Sequence, residues 1–250
     1  MLTNFCRFIL GLVASAIYAC GLNFVPKRLF LPVLHNLESG QVNSVSRLLE
    51  EDVDCYSISL RHAGAMQAVE AANSMGRTHV GVSSASSLSD IRRASALGVD
   101  YISTRVCEKS LVKAALAESL PIMTGVSSIE EAVHALQWGS TALKFYPSST
   151  VPPRKLKAIV KALHATYGSQ YIAKVPMIVA GGVTEADLTH YLSAGATGFA
   201  VGFDCNKPLD MLRDNVKHFY RSAQMASWVT TGDLSRGAYI AEEERNSLFL

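Results

Sequence analysis

This sequence has few charged residues, and it lacks the patterns typical of nucleic-acid binding. Charged residues make up 18% of its 250 residues and hydrophobic residues 49%, which excludes a largely disordered protein. The formal net charge is +2, with no long basic run and no interleaving of aromatic and basic residues. We therefore expect no nucleic-acid partner, so any anionic ligand must be bound by a local site.

Cysteine is scarce and scattered, without a C-x-x-C pair or the Cys/His spacing of a metal site. A chain of this length can bury enough apolar surface to be stable without disulfides. We therefore interpret the cysteines as buried thiols and expect a reducing, cytoplasmic location. The five cysteines are Cys6, Cys20, Cys55, Cys107 and Cys205.

The segment 8–25 contains no charged residue, and it is flanked by Arg7 on one side and by Lys27 and Arg28 on the other. A run of this length is at the threshold for spanning a bilayer. One interpretation of residues 1–29 is a helix that covers the floor of a barrel. The other is a membrane anchor or an export signal, which would bring the protein into contact with a membrane.

Eight short apolar or β-branched runs predict strands, and segments with helical periodicity lie between them. Strands that alternate with helices predict parallel pairing. With one longer unit before the seventh strand, the pattern favours an eight-stranded parallel (β/α)8 TIM barrel over residues 30–221, and an open sheet is the alternative. The runs are 30–34, 54–60, 78–82, 99–104, 120–126, 141–146, 175–180 and 198–202.

Local signals also mark where the helices begin and end. Pairs with capping-box spacing predict helix starts at Ser87/Asp90, Ser127/Glu130 and Thr184/Asp187. Glycines that follow periodic segments predict helix ends at Gly76, Gly98, Gly139, Gly168 and Gly195. A last helix is predicted over residues 209–219, and residues 222–250 are expected to be an appendage whose composition offers no core.

The sixth run carries a lysine on a face that is predicted to point into the barrel. Alternation places Ala142, Lys144 and Tyr146 on one face, and it places Leu143 and Phe145 on the other, which suits the helix layer. Desolvation inside a barrel lowers the pKa of an amine, and a neutral amine can form a Schiff base with a ketone. The alternative is a lysine whose side chain reaches out to the barrel mouth.

The segment Leu143-Lys144-Phe145-Tyr146-Pro147 resembles the K-F-F-P segment of the 2-keto-3-deoxy-6-phosphogluconate (KDPG) / 4-hydroxy-2-oxoglutarate (KHG) aldolases. Ser59-Leu60-Arg61 is similar to the T-L-R of that family, residues 121–128 to its P-x-x-P-G-x-S-T, and Gly181-Gly182-Val183 to its G-G-[IV]. The resemblance extends from about Leu31 to Phe219. It implies a class I aldolase in which Lys144 forms the Schiff base. It also implies that no metal or organic cofactor is required and that the protein is a homotrimer.

The same likeness implies that Arg61 binds the substrate carboxylate and that Gly181 and Gly182 contribute backbone N–H groups to the pocket. A surface salt bridge is the alternative for Arg61, and an ordinary tight turn is the alternative for the glycines. Because the site of such a barrel lies at the carboxyl ends of the strands, we add Ser84, Tyr146 and Gly202 to the predicted substrate-binding set. Tyr146 would either orient the substrate or pack as a lid on the ketone.

Several residues depart from the family pattern. Ser57 replaces the proton-shuttling glutamate of E-x-T-L-R, and a serine cannot act as an acid or base near neutral pH, so we expect Ser57→Glu to raise cleavage. Arg105 follows the fourth strand where the family commonly reads S-P-G, and it either compensates for lost anion binding or fills the mouth. Phe203 stands where a phosphate-binding G-S is usual, and we expect its ring to occupy the place of the hydroxyl.

Two histidines are candidates for the missing base. His35, at the end of the first strand, is better placed to move a proton than His62, which is next to Arg61. The alternative for His35 is a histidine that is hydrogen-bonded at a loop edge.

Three hypotheses follow for a small-molecule 2-oxoacid ligand. The leading one is a Schiff-base aldolase that cleaves a 2-keto-3-deoxy sugar acid, phosphorylated or not, or a 4-hydroxy-2-oxoacid, to pyruvate and an aldehyde. The second is a catalytically impaired barrel that binds 2-oxoacids, because of Ser57. The third is a phosphate-binding isomerase or synthase that uses Gly181, Gly182 and Gly202.

Overall fold

The computed structural model describes residues 30–49, 53, 55–76 and 79–231. Residues 1–29 and 232–250 lie outside the described residues, so both interpretations of the segment 8–25 stay predictions. Within the described ranges, no helix is long and apolar enough to cross a membrane.

Eight parallel strands close into a barrel in chain order, and the last strand pairs with the first. This confirms the predicted (β/α)8 barrel rather than an open sheet, and every strand overlaps its predicted run. The strands are β1 Phe30–His35, β2 Cys55–Ser59, β3 His79–Ala85, β4 Tyr101–Thr104, β5 Ile122–Val126, β6 Ala142–Phe145, β7 Met177–Ala180 and β8 Gly198–Asp204.

Helices follow the strands and form the outer layer. Two of them lie between β6 and β7, which is the longer unit predicted from the spacing of the runs. The helices are α1 Val42–Leu49, α2 Ala65–Met75, α3 Leu88–Ala96, α4 Lys109–Ala117, α5 Ile129–Trp138, α6 Pro153–Tyr167, α7 Ser169–Ile172, α8 Leu188–Ser193 and α9 Leu209–Thr231.

Side-chain caps explain why several helices begin where they do. Ser87 Oγ accepts a 3.0 Å hydrogen bond from the backbone N–H of Asp90, whose carboxylate accepts from the Ser87 N–H, so the predicted capping box forms at α3. The cap of α5 lies one residue later than predicted, because Ser128 Oγ accepts the N–H of Glu131. The five glycines predicted to end helices all have a positive φ.

Alternation along the strands divides the core in two. Leu143 and Phe145 point outwards and are fully buried beneath the helices, as predicted for that face of β6. Tyr101 is the largest side chain of the barrel interior, where its ring lies over Gly81 and its hydroxyl donates to the Tyr56 carbonyl at 3.0 Å. The interior below the mouth is therefore a packed core and not a channel.

The last helix is longer than the sequence suggested. α9 ends at Thr231 rather than near residue 219, so it crosses the predicted boundary between the barrel and the appendage. Ala223, Ala226 and Ser227 are buried in this extension, which corrects the expectation that residues 222–231 offer no core. Small side chains at positions i, i+3 and i+4 form a buried stripe that carries little hydrophobic signal in the sequence.

Candidate active site

A cavity of about 340 Å³ opens at the carboxyl-terminal mouth of the barrel, and each of the eight strands or the turn that follows it contributes to its wall. This end of a (β/α)8 barrel is where active sites are found. The structure brings all the predicted site residues together on the wall: Lys144, His35, Arg61, Ser84, Tyr146, Gly181, Gly182 and Gly202.

Lys144 points into the barrel, as the alternation of β6 predicts. Its side chain is only 5% exposed, and its Nζ donates a 2.6 Å hydrogen bond to Ser103 Oγ on β4. Burial, together with a smaller effect of the Arg105 charge, lowers the pKa of Lys144 to about 7. A large fraction of this amine is therefore neutral, and so nucleophilic, at neutral pH.

A band of serine hydroxyls runs across β2, β3 and β4 towards Lys144. Ser83 Oγ donates a 2.6 Å hydrogen bond to Ser57 Oγ, and Ser83 is the register partner of Ser103, which contacts the lysine. Alternation predicts that Ser103 points inwards, but its contact with Lys144 joins β4 to β6 past the intervening β5. The sequence alone therefore does not reveal Ser103 as the partner of Lys144.

The ring of Tyr146 flanks the amine, with Lys144 Nζ 5.5 Å from the ring centroid. One edge of the ring lies against Gly181, where a Cβ atom would come within 2.6 Å of the ring. Gly181 also has a φ of 79°, which favours glycine. The aromatic ring, held between Lys144 and Gly181, therefore forms one wall of the reaction space.

Ser84 has an unusual backbone conformation for a residue with a side chain. Its φ is 66°, and the register between β3 and β4 shifts between Ser83 and Ala85. Such a bulge turns a side chain away from the regular alternation of a strand. Here it lets the successive residues Ser83 and Ser84 both face the cavity.

His35 ends β1, and its Nε2 lies so close to Gly202 that a Cβ atom at 202 would come within 2.7 Å of it. Burial lowers the pKa of His35 below its usual value of 6.5, and the charge of Arg61 adds to this effect. Asp204, which accepts a 2.9 Å hydrogen bond from Asn36, acts in the opposite direction. The imidazole on the cavity wall is therefore mainly neutral at pH 7 and able to accept a proton.

The second candidate base, His62, is not on the cavity wall. Its Nδ1 lies 3.9 Å from a carboxylate oxygen of Glu38, outside the mouth. Arg61 does line the cavity, and no carboxylate of the described residues lies within ion-pair distance of it. Within those residues the alternative of a surface salt bridge for Arg61 is therefore not found.

The cavity wall is cationic. It carries the guanidinium groups of Arg61 and Arg105 beside the largely neutral Lys144 and His35, and no aspartate or glutamate of the described residues lies on it. Nowhere in the described ranges do three His, Cys, Asp or Glu side chains come together as a metal site. Such a wall can bind a carboxylate or phosphate beside a nucleophilic amine.

Residues 26–216 match the protein-family model described as aldolase: KDPG and KHG aldolase. The chain belongs to the KDPG and KHG aldolase family. The 2-dehydro-3-deoxy-6-phosphogalactonate aldolase of Escherichia coli (strain K12) is 28% identical over 108 residues, which are 43% of this chain and 49% of that protein. The match thus spans about half the length of this relative.

A second member of the KDPG and KHG aldolase family, a probable 2-dehydro-3-deoxy-6-phosphogalactonate aldolase of Rhizobium meliloti (strain 1021), is 25% identical over 185 residues. That match covers 73% of this chain and 84% of the relative. A solved structure described as native KDPGal has a TM-score of 0.73 and 19% identity, over 82% of this chain and 98% of that one. The structural likeness supports the barrel fold.

At two positions that depart from the KDPG and KHG aldolase pattern, the structure places the side chain differently from the expectation. Ser57 is fully buried beneath Ser83 and does not reach the cavity wall. The Phe203 ring points outwards and packs edge-on against Phe30, with centroids 6.0 Å apart, so the expectation that it fills the place of a phosphate-binding hydroxyl is wrong. Alternation along β8 gives the reason, because Gly202 faces inwards and its neighbour must face the helices.

Proposed function

We propose that this protein is a class I aldolase that cleaves a 2-keto-3-deoxy sugar acid or a 4-hydroxy-2-oxoacid to pyruvate and an aldehyde. The observation that carries the proposal is the buried Lys144 amine, with a pKa of about 7, inside a cationic cavity at the barrel mouth. The activity of both relatives, which are named as 2-dehydro-3-deoxy-6-phosphogalactonate aldolases, favours the sugar acid as substrate.

In the proposed reaction, the neutral amine of Lys144 adds to the C2 carbonyl of the substrate, and water leaves to form an iminium ion. The C4 hydroxyl then gives up its proton, the C3–C4 bond breaks, and its electron pair moves to the iminium nitrogen. This releases the aldehyde and leaves an enamine of pyruvate. Protonation at C3 and addition of water to the resulting iminium release pyruvate and restore the amine.

The cavity wall offers a group for each of these needs. The Arg61 guanidinium, which has no carboxylate partner among the described residues, is assigned to the C1 carboxylate, and Tyr146 forms a wall beside the amine. His35 is the base that we assign to the C4 hydroxyl proton, because it is neutral near pH 7 and lines the same cavity. Ser84, Gly181, Gly182 and Gly202 border the space left for the rest of the substrate.

The test is incubation of the full chain with pyruvate and borohydride, followed by peptide mass mapping. Reduction of the iminium ion is expected to label Lys144, and Lys144→Ala is expected to abolish both labelling and aldol cleavage. Lys157→Ala is the matched control, because Lys157 is exposed on α6, and it should change neither. Labelling of another lysine would overturn the mechanism.

The catalytically impaired barrel remains the second candidate, and the observation that favours it is Ser57 in the position of the family glutamate. Labelling of Lys144 without detectable cleavage of any 2-keto-3-deoxy sugar acid would favour this candidate. An absence of labelling would favour the isomerase or synthase. The homotrimer and the cytoplasmic location expected from the sequence stay predictions.

A further inference from the structure

Ser103 supplies the hydroxyl that contacts the Lys144 amine. It is buried near the carboxyl end of β4, and it lines the cavity together with Lys144. Lys144 Nζ donates a 2.6 Å hydrogen bond to Ser103 Oγ, and this is the only hydrogen bond between the amine and any described residue. Any bond that forms at the nitrogen therefore forms beside this hydroxyl.

The proton of the Ser103 hydroxyl has no acceptor among the described residues. Other buried hydroxyls of the barrel do donate their protons. Ser83 Oγ donates to Ser57 Oγ at 2.6 Å, and Ser140 Oγ donates to a threonine hydroxyl, Thr124 Oγ1, at 2.7 Å. Since a hydroxyl can accept and donate at the same time, Ser103 accepts from the amine and keeps its proton for an atom of a ligand in the cavity.

The groups that usually transfer protons are not found beside the amine on the described part of the cavity wall. That wall carries no aspartate or glutamate, and Ser57, in the position of the family glutamate, is buried beneath it. Tyr146 presents its ring to the amine. His35 lies on β1 and is assigned to the C4 hydroxyl. Ser103 is therefore the group in place to move a proton at the nitrogen.

Formation of a Schiff base requires proton transfer from nitrogen to oxygen. When the neutral Lys144 amine adds to the C2 carbonyl, the nitrogen becomes positively charged and the oxygen negatively charged. Both protons of the amine must then leave the nitrogen, and the oxygen needs two protons to depart as water. Direct transfer would pass through a strained ring of nitrogen, hydrogen, oxygen and carbon. A hydroxyl held between the two atoms widens this ring and lowers the strain.

We propose that Ser103 is a catalytic residue that relays both amine protons of Lys144 to the C2 oxygen of the substrate. In each transfer, Ser103 Oγ accepts a proton from the nitrogen while its own proton moves to the oxygen, so the serine ends unchanged. The first transfer gives a neutral carbinolamine. In the second, the electron pair of the N–H bond forms the C=N bond, the C2–O bond breaks and water leaves. The resulting neutral imine takes up a proton from solvent water to become the iminium ion.

The relay assigns a serine to proton transfer without requiring it to be charged. A serine hydroxyl is too weak an acid or base to act alone near neutral pH, but it avoids both charged forms when it gives and receives a proton together. The same path in reverse returns protons to the nitrogen when water hydrolyses the pyruvate iminium ion. This assignment rests on the proposed function, because it needs a Schiff base at Lys144. Its consequence is a change in the rate of iminium formation and not in the amount formed at equilibrium.

The test compares Ser103→Thr with Ser103→Val, whose side chains have the same shape and differ in the hydroxyl. The full chain is mixed with pyruvate at about pH 9, where Lys144 is almost entirely neutral, and the iminium ion is measured by borohydride quenching at timed intervals. Ser103→Val is expected to react at least about tenfold more slowly than Ser103→Thr, because a positioned proton-transfer group contributes on the order of 10²–10⁴. The final labelled fractions should differ by less than about threefold.

Two further readouts separate the relay from a role in orienting the amine or in setting its pKa. If the hydroxyl acted through the pKa of Lys144, the rate of Ser103→Val would recover at higher pH, whereas loss of the relay lowers the plateau itself. In mixtures of light and heavy water, the plateau rate of the wild type should fall along a curve, because each transfer moves two protons together. Ser103→Val should lack this curvature.

Ser140→Ala is the matched control, because it removes a buried hydroxyl that does not line the cavity, and it should keep the wild-type rate. If the larger side chains prevent folding, Ser103→Ala replaces them, and it should be at least about tenfold slower than the wild type. Equal plateau rates for Ser103→Thr and Ser103→Val, with Lys144 still labelled, would overturn the role of Ser103 alone. An absence of label in the wild type would overturn the proposed function, and this inference with it.

Discussion

Lys144 Nζ donates a 2.6 Å hydrogen bond to Ser103 Oγ across the interior of the barrel. A serine hydroxyl carries no charge, so it orients the amine without offsetting the burial that lowers its pKa. Arg105, two residues further along the same face, acts in the same direction as burial. The barrel thus holds a lysine in a fixed position and keeps much of it neutral at pH 7.

The rate of iminium formation with pyruvate is expected to rise with pH through about 7 and to level off above about pH 8. The ammonium form cannot attack a ketone, so the rate follows the neutral fraction of Lys144, whose pKa is about 7. An exposed lysine, with a pKa near 10.4, would give a rate that still rises at pH 9. The measurement is single-turnover trapping with cyanoborohydride, and Lys144→Ala supplies the blank.

Replacement of His35 is expected to impair aldol cleavage and to leave iminium formation at Lys144 intact. His35→Ala should lower aldol cleavage by on the order of 10²–10⁴, because it removes the base, and should retain pyruvate trapping at Lys144. In the wild type, the pH profile of cleavage should contain a second fall on the acid side of the Lys144 step, below about pH 6.5, since burial and Arg61 hold the pKa of His35 below that value. His62→Ala is the control, and a larger loss in that variant would contradict the assignment.

Ser57→Glu alone is expected to give no gain in cleavage, in contrast to the expectation from the sequence. Ser57 is buried under Ser83, so a carboxylate at position 57 would be desolvated and separated from the cavity. The double variant Ser57→Glu/Ser83→Gly removes the covering hydroxyl, and it should exceed Ser83→Gly in kcat/KM by tenfold or more. Equal rates for these two variants would argue that the position no longer serves proton transfer.

Phe203→Ala is expected to change stability and not substrate preference. The ring is buried between the barrel and the helices against Phe30, so its loss should cost about 3–5 kcal/mol in the free energy of unfolding. The kcat/KM ratio of phosphorylated to unphosphorylated sugar acid should change less than about threefold. Urea unfolding and steady-state kinetics measure the two effects, and a tenfold change in the ratio would show that position 203 contributes to the site.

The sequence by itself determined the features that depend on neighbouring residues. The eight strands, the capping box at Ser87 and the inward face of Lys144 all follow from spacings of two to four residues, which the backbone geometry of strands and helices imposes. The expectation for Phe203 was wrong because it ignored this alternation, which turns the ring outwards once Gly202 is placed inside.

Only the tertiary structure decided which residues from different strands meet. The contact between Ser103 and Lys144, the covering of Ser57 by Ser83 and the approach of the Arg105 turn to Gly125 all join different strands, with a helix between them in the sequence. Their positions depend on the register and on the closure of the barrel, which no local spacing encodes. The buried small-residue stripe of α9 was not predicted for a related reason. The burial of alanine and serine becomes evident only once the layer that covers them is known.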